Sequence, residues 1–274
     1  MVRPMLGAAG DVPARRRAVP ASPFGPWPGP ARRKFGALAS VGVDPRKAIG
    51  YVRGIVRQYG AGALLHDLQC RLLNQLGYFE VLKGMTVRVQ DVRDPGLFDA
   101  QGYQARFVGV DELQRLARDD ANEMPIEFLH LALARRDRCY ALFDGTQLAA
   151  YGWYTNRAAP LDAHYTLHFD TGWTYMYKGY TLPAWRGKRL HAVGMCRALR
   201  ALTDEGRRGL ISCVASNNFA SLHSVTRMGY RIFGAAWLLR LAGHAVSYAT
   251  PGCRAYGFRV EPRGTAQAPV NATA

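Results

Sequence analysis

The sequence predicts a mixed α/β fold, and three observations carry that prediction. Apolar residues recur at spacings of three and four over residues 45–77. Alternating apolar runs joined by Asp144-Gly145 follow at 139–155, and from residue 173 the chain reads strand, basic glycine-containing loop, helix, strand and capped helix. Hydrophobic residues make up 49% of the 274 residues, enough for a proper core, which excludes a disordered chain as a class.

The charge is unevenly placed. Thirty-six Lys and Arg oppose 20 Asp and Glu, and residues 1–57 hold eleven of the bases and two of the acids. The first thirty residues also carry seven of the fifteen prolines, so residues 1–44 read as a disordered basic tail. Such a tail suits nucleic acid, an anionic membrane or an acidic protein, and equally a solvated extension. Met1 to Pro30 has no apolar core of a secretory signal, and no later stretch has the length of a membrane span. Cys70, Cys139, Cys196, Cys213 and Cys253 are odd in number and form no CxxC, so neither a disulfide framework nor a zinc site is indicated and the cytoplasm is the expected compartment.

Ile49, Val52, Val56, Leu64, Leu65, Leu68, Leu72, Leu73 and Leu76 predict a helical extension over 45–77, one broken helix or a pair, interrupted near Gly60 and Gly62 and stopped at Gly77. The main domain is expected over 78–262. It opens with a strand in 78–89, then a strand at 104–110, a helix at 111–118 capped by Asp111, and a helix at 125–134 with Pro125 at its start. The hairpin 139–155 comes next, and Asp170-Thr171-Gly172 turns the chain into a strand at 173–182. A helix follows the basic loop, then a strand at 210–215. Asn217-Asn218 cap a helix whose apolar face is Phe219, Leu222, Val225 and Met228 and whose stop is Gly229. Strands at 231–241 and at 245–248 or 254–260 complete the domain, and 263–274 reads as a second disordered tail.

Three pieces carry a family resemblance: Tyr180-Thr181-Leu182-Pro183-Ala184-Trp185-Arg186-Gly187-Lys188 running into a helix, Val214-Ala215-Ser216-Asn217-Asn218-Phe219-Ala220-Ser221, and Arg227-Met228-Gly229-Tyr230. Together they resemble the GNAT acyltransferase superfamily. The specific likeness covers about 173–235 and the looser order of elements about 104–260. It implies a twisted, largely antiparallel sheet with a splayed parallel strand pair and flanking helices. It also implies transfer of an acyl group, most simply acetyl, from acetyl-CoA or a longer acyl-CoA to an amine of a small molecule or protein, by direct attack in a ternary complex.

The resemblance assigns Arg186, Gly187, Lys188, Arg189, Leu190 and His191 to the pyrophosphate, and Tyr180, Thr181, Leu182, Asn218 and Ser221 to the pantetheine arm. Helix-opening amides and the helix dipole are the physical reason for such a loop. Two other readings stay open. One is a long-chain N-acyltransferase fed by an acyl-carrier protein, whose acidic surface would suit a basic loop; the other is a non-catalytic nucleic-acid or surface-binding module on the same fold.

The chain departs from the family pattern in two respects. Arg189 and His191 stand where small residues are usual, so their side chains must turn away or add charge. Val225 stands where many members have a Tyr, and strand 173–182 has no carboxylate. The candidates for proton transfer are therefore Tyr177, Lys178 and His223, with Ser224 beside the last. Strict alternation would put Tyr175, Tyr177 and Gly179 on one face of the strand and Met176, Lys178 and Tyr180 on the other. Lys178 would anchor a substrate carboxylate or hold a lowered pKa. Glu123 and Glu127, between the two early helices, are candidates to meet a cationic acceptor, or simply acids at a helix start. His164 and His168 have a spacing that puts both on one strand face, but no third ligand can be named and no metal is predicted. Ser216 has no recognisable His-Asp partner in the sequence.

Overall fold

The computed structural model describes residues 45–99 and 102–263; the basic segment 1–44 and residues 264–274 lie outside the described residues. Helices α1 (Pro45–Tyr59) and α2 (Ala61–Leu76) are separated at Gly60, whose φ of 87° belongs to the left-handed region where glycine is at home. Strand β1 (Tyr78–Val87) starts straight after. Strand β2 (Gln104–Phe107), helix α3 (Val110–Leu116) and helix α4 (Ile126–Ala134) lead to the hairpin β3 (Arg138–Asp144) and β4 (Gln147–Thr155). Two short strands, β5 (Ala159–Pro160) and β6 (Tyr165–His168), precede β7 (Thr174–Thr181). Then come α5 (Leu190–Asp204), β8 (Leu210–Ala215), α6 (Phe219–Met228), β9 (Arg231–Leu241), β10 (His244–Ala249) and β11 (Arg259–Pro262).

Eight strands form one sheet in the order β10-β9-β1-β8-β7-β4-β3-β2, antiparallel throughout except for the parallel pair β7–β8. The mixed, largely antiparallel architecture expected from the sequence is the one the chain adopts. Helix α5 covers one face, where Val193, Leu199 and Leu202 pack with Leu142, Ala150 and Met176 from one half of the sheet and Met85, Val87 and Leu210 from the other. The opposite face is shared. Helices α3 and α4 cover the β2–β3–β4 side with Leu113, Phe128 and Leu129, and a small sheet of order β11-β6-β5 covers the β1–β8–β9 side with Tyr165, Leu167 and Val260.

Several sequence expectations are corrected. Asp111 lies inside the first turn of α3 instead of capping it; Gly109 holds the cap position, and Glu112 in that turn takes the Arg106 guanidinium at 2.7 and 2.8 Å. The small three-stranded sheet was not predicted as a unit, because β5 and β6 are too short for any alternation to show. His168 on β6 faces Glu261 at 3.1 Å. Arg263, assigned to the C-terminal tail, is held to the body by its amide on the His164 carbonyl. Helix α2 lies where the spacing put it, but Asp67 and Cys70 are its buried residues, while Leu65, Leu68, Leu72, Leu73 and Leu76 are exposed. The spacing identified the helix, but a leucine stripe marks a core-facing side only where something covers it.

All five cysteines are free and buried. Burial pushes the thiols of Cys196 and Cys213 up to about 12.

Gly229 ends α6 with φ 113°, and a Cβ there would lie 2.0 Å from the Asp91 carbonyl oxygen. Gly229→Ala is therefore expected to destabilise the protein by at least about 2 kcal/mol in urea unfolding, since strain and clash add. Gly206→Ala, at φ 90° but with open space around it, should cost only about 1 kcal/mol. Equal losses at the two positions would remove the clash from the account.

Candidate functional site

The parallel pair is very short. Strands β7 and β8 share only Thr174↔Leu210 and Tyr175↔Ile211, and the Ser212 hydroxyl donates to the Met176 carbonyl at 3.2 Å just beyond them. From there Tyr177–Thr181 continue along β4 while Cys213–Ala215 continue along β1. The two strand edges thus face each other across a V whose apex is Met176 and Ser212 and whose backbone groups along the inner edges are not spent on each other.

The β4–β7 register slips by one residue at this apex: Tyr154 pairs with Met176 and Trp153 with Lys178, so Tyr177 is an extra residue on β7. Such a bulge breaks alternation. Lys178 and Tyr180 consequently point to the α3–α4 face, opposite Trp153 and Tyr151, and Gly179 points to the α5 face, where a Cβ would meet the His191 ring at 2.4 Å. The expectation that Met176, Lys178 and Tyr180 share a face is overturned by this one insertion; Tyr177 joins Lys178 on the side of α4.

Strand β7 runs into the basic loop. Leu182 donates its amide to Ala149, Trp185 its indole N–H to Asp144 at 3.0 Å, and Gly187 and Arg189 turn the chain with φ of 82° and 59°. Arg189 thus adopts a left-handed conformation that glycine reaches at lower cost, which accounts for a small residue being usual there. The amides of Gly187, Lys188, Arg189, Leu190 and His191 find no acceptor among the described residues. Five consecutive unbonded donors at the start of a four-turn helix form an anion cradle.

The cations around the cradle are tethered to the scaffold. Arg186 Nε donates to the Thr181 carbonyl at 3.2 Å, Lys188 Nζ to Tyr103 Oη at 3.4 Å, and Arg189 Nη2 to Asp94 at 3.0 Å. Arg189 therefore turns away, as its bulk requires. His191 does so too, its ring lying over Gly179. Asn218 caps α6, its side-chain oxygen accepting from the Ser221 amide at 3.2 Å.

A second polar group sits on the α4 side of the V. Lys178 Nζ donates to the Glu123 carbonyl at 3.0 Å and lies 4.2 Å from the centre of the Phe128 ring. Tyr177 Oη donates to Asp137 Oδ2 at 2.9 Å, and Arg135 donates to the same oxygen at 2.5 and 3.0 Å. The Asp137 side chain is fully buried, and its other oxygen has no partner among the described residues. Burial, and then the charge of Asp137, hold the Tyr177 phenol far above its ordinary value, so it stays protonated.

The structure thus brings Tyr177, Lys178 and Glu123 together. Glu127 is exposed in the first turn of α4. His223 is not brought to them: it is exposed on α6, whose Leu222, Val225 and Met228 pack on the α5 face. Asp137 and Arg135 escaped the sequence reading. The only signal was a single acid in the run Arg135-Arg136-Asp137-Arg138 immediately before an apolar strand.

Ser216, by contrast, does have a histidine partner. His66 Nε2 of α2 lies 2.8 Å from Ser216 Oγ and 3.7 Å from Cys70 Sγ. The neighbouring Asp67 is engaged by Tyr51, Arg71 and Asn217, and among the described residues no carboxylate is bonded to His66 as a nucleophilic triad requires.

No family model matches the chain, and no curated protein does. Among solved structures the fold is similar to a GCN5-related N-acetyltransferase-like protein from Streptococcus suis, at 12% identity and a TM-score of 0.41, covering 71% of this chain and 67% of that one. It is also similar to a GCN5-related N-acetyltransferase from Kribbella flavida, at 15% identity and TM-score 0.38, covering 66% and 63%. A GNAT-family acetyltransferase structure from Novosphingobium aromaticivorans gives 17% identity and TM-score 0.36, covering 57% and 61%. The chain spans about three fifths to two thirds of those chains' own lengths.

Burial lowers the pKa of Lys178 below 10.5, the Glu123 charge opposing. A lysine whose folded pKa lies below its unfolded one costs stability while charged. That cost is full below the folded pKa and fades as pH rises from there towards 10.5, because across that window the unfolded chain binds the proton more tightly. Lys178→Met should therefore be more stable relative to the native chain at neutral pH than at the alkaline end of the window, in urea unfolding at several pH values. A stability difference independent of pH would mean that the ammonium is not desolvated.

Proposed function

We propose that the chain transfers an acyl group, most simply acetyl, from an acyl-CoA to an amine. The observation that supports this best is the continuity of two features on one stretch of chain: a strand pair that parts after two residues, and five amides without an acceptor among the described residues at the helix start where β7 leads. A thioester arm needs polar backbone groups along its length, and a pyrophosphate needs convergent donors at the end of it.

In this reading the amides from Gly187 to His191 hold the pyrophosphate, with Arg186 and Lys188 adding charge. Tyr180, Thr181 and Leu182 flank the arm on one side. Across the V, the amide group of Asn218 and the hydroxyl of Ser221 complete the set.

The chemistry requires the amine nitrogen to bond to the thioester carbonyl carbon and the carbon–sulfur bond to break, the sulfur leaving as a thiolate. The amine must lose a proton. Tyr177 gives its own proton to Asp137 and accepts a long contact from Arg135 Nη2 at 3.4 Å, so its oxygen has its second lone pair left to accept an amine N–H. Proton transfer from the amine to Tyr177, as Tyr177 passes its proton to Asp137, keeps the phenol neutral and never leaves a phenolate beside the carboxylate. Lys178 spends one donor on the Glu123 carbonyl, and its remaining donors suit a carboxylate on the acceptor. Glu123 and Glu127 at the rim suit a positive charge. A small amine that also carries a carboxylate meets both. Holding that amine against the thioester supplies much of the rate.

Titration calorimetry with acetyl-CoA, a long-chain acyl-CoA and free CoA should show micromolar binding that Arg186→Ala weakens roughly tenfold. Tyr177→Phe should leave that binding unchanged and lower kcat by roughly 10²-fold. Absence of binding to all three ligands would overturn the reading, and binding without any effect of Tyr177→Phe would overturn the proton path.

A further inference from the structure

The α1–α2 hairpin has its polarity reversed with respect to the body it packs on. The inward side of α2 carries Asp67 and Cys70, both buried, with His66 on Ser216 and Asn74 bonded to the Phe79 backbone. Its outward side is the stripe Leu65, Leu68, Leu72 and Leu76, the last two 62% and 71% exposed. The stripe does not stop at the helix end. Gly77 lies against Leu241, and β9 and β10 continue the apolar surface with the opposed pairs Trp237↔Tyr248 and Leu239↔Val246, all four exposed. An apolar surface of this extent on a folded chain marks a contact with something.

The charge around the patch selects the occupant. Helices α1 and α2 hold five Lys and Arg and one acid, Asp67, which is turned inward and paired with Arg71. Arg53 and Arg57 are exposed one turn apart on α1, beside the exposed Val52 and Val56. The preceding residues 1–44 carry seven bases and two acids. A second copy of the chain would set one cationic rim against another, and residues 1–44 would set a positive segment against a positive helix. An anionic lipid surface complements both the leucines and the arginines.

We propose that the outward face of α1–α2, with the adjoining β9–β10 surface, is a docking site for an anionic bilayer, the leucine stripe entering the headgroup boundary and the arginines meeting lipid phosphates. No described helix is long and apolar enough to cross a membrane, so the contact is interfacial.

The test is co-sedimentation of the full chain with vesicles of phosphatidylcholine alone or mixed with phosphatidylglycerol, alongside light scattering to determine its oligomeric state. The chain should bind the anionic vesicles at least about tenfold more tightly, with the preference falling as salt rises. The double variant L72E/L76E, checked by circular dichroism, should lose vesicle binding. Arg53→Glu with Arg57→Glu, which leaves the leucines intact, should lose the anionic preference. Unchanged binding in both variants would overturn the proposal. So would a native dimer that L72E/L76E converts to a monomer while neither species binds vesicles, an outcome that makes a second copy the occupant.

Discussion

Two residues of parallel pairing join the halves of an eight-stranded sheet, and the rest of the molecule is arranged around that economy. Backbone ladders of six or more paired residues run through β10-β9-β1-β8 and ladders of four to seven through β7-β4-β3-β2, but between the halves only Thr174 and Tyr175 meet Leu210 and Ile211. Side chains do what the backbone leaves undone. Helix α5 lies across the seam with apolar contacts to both halves, and on the other face Phe169, Trp173 and Tyr175 of one side pack with Ile211, Cys213 and Leu82 of the other. Hydrophobic burial is non-directional, so it can hold two strands at a fixed divergence, whereas hydrogen-bonded pairing would have closed them.

The bulge at Tyr177 follows from the same divergence. Where β7 leaves β8 its twist must increase, and one inserted residue bends the strand and re-aims its side chains. As a result the residue of β7 beyond the bulge that packs under α5 is Gly179, leaving room for the ring of His191, while Tyr177 and Lys178 turn together towards α4. A residue class that would be awkward in the loop is thus accommodated by the absence of a side chain on the strand opposite.

Much of this was legible in the sequence, for local reasons. The Asp144-Gly145 turn, the Asn218 cap, the Gly229 stop and the run from Tyr180 through Arg186 into a helix are each written in neighbouring residues, and the structure has them where they were read. What was not legible depends on partners far along the chain. A bulge shows only when Trp153 and Tyr154 are set against β7. The turning outward of the α2 leucines depends on the polar Ser216 and Asn217 it meets some 150 residues later. Asp137 looked like one acid among arginines, and its importance comes from being buried against Tyr177, forty residues on. Alternation is a rule for regular strands, and the site is built where regularity ends.

The buried cysteines bear on how such a protein can be watched at work. All five thiols are free, yet none is presented to solvent, and burial raises the pKa of Cys70, Cys139, Cys196 and Cys213, which favours their unreactive protonated form. A thiol-reactive dye added to the folded protein therefore meets little competition from the protein itself. Any small thiol liberated during turnover would be counted against a nearly silent background, and a rise in that background would report unfolding, not chemistry.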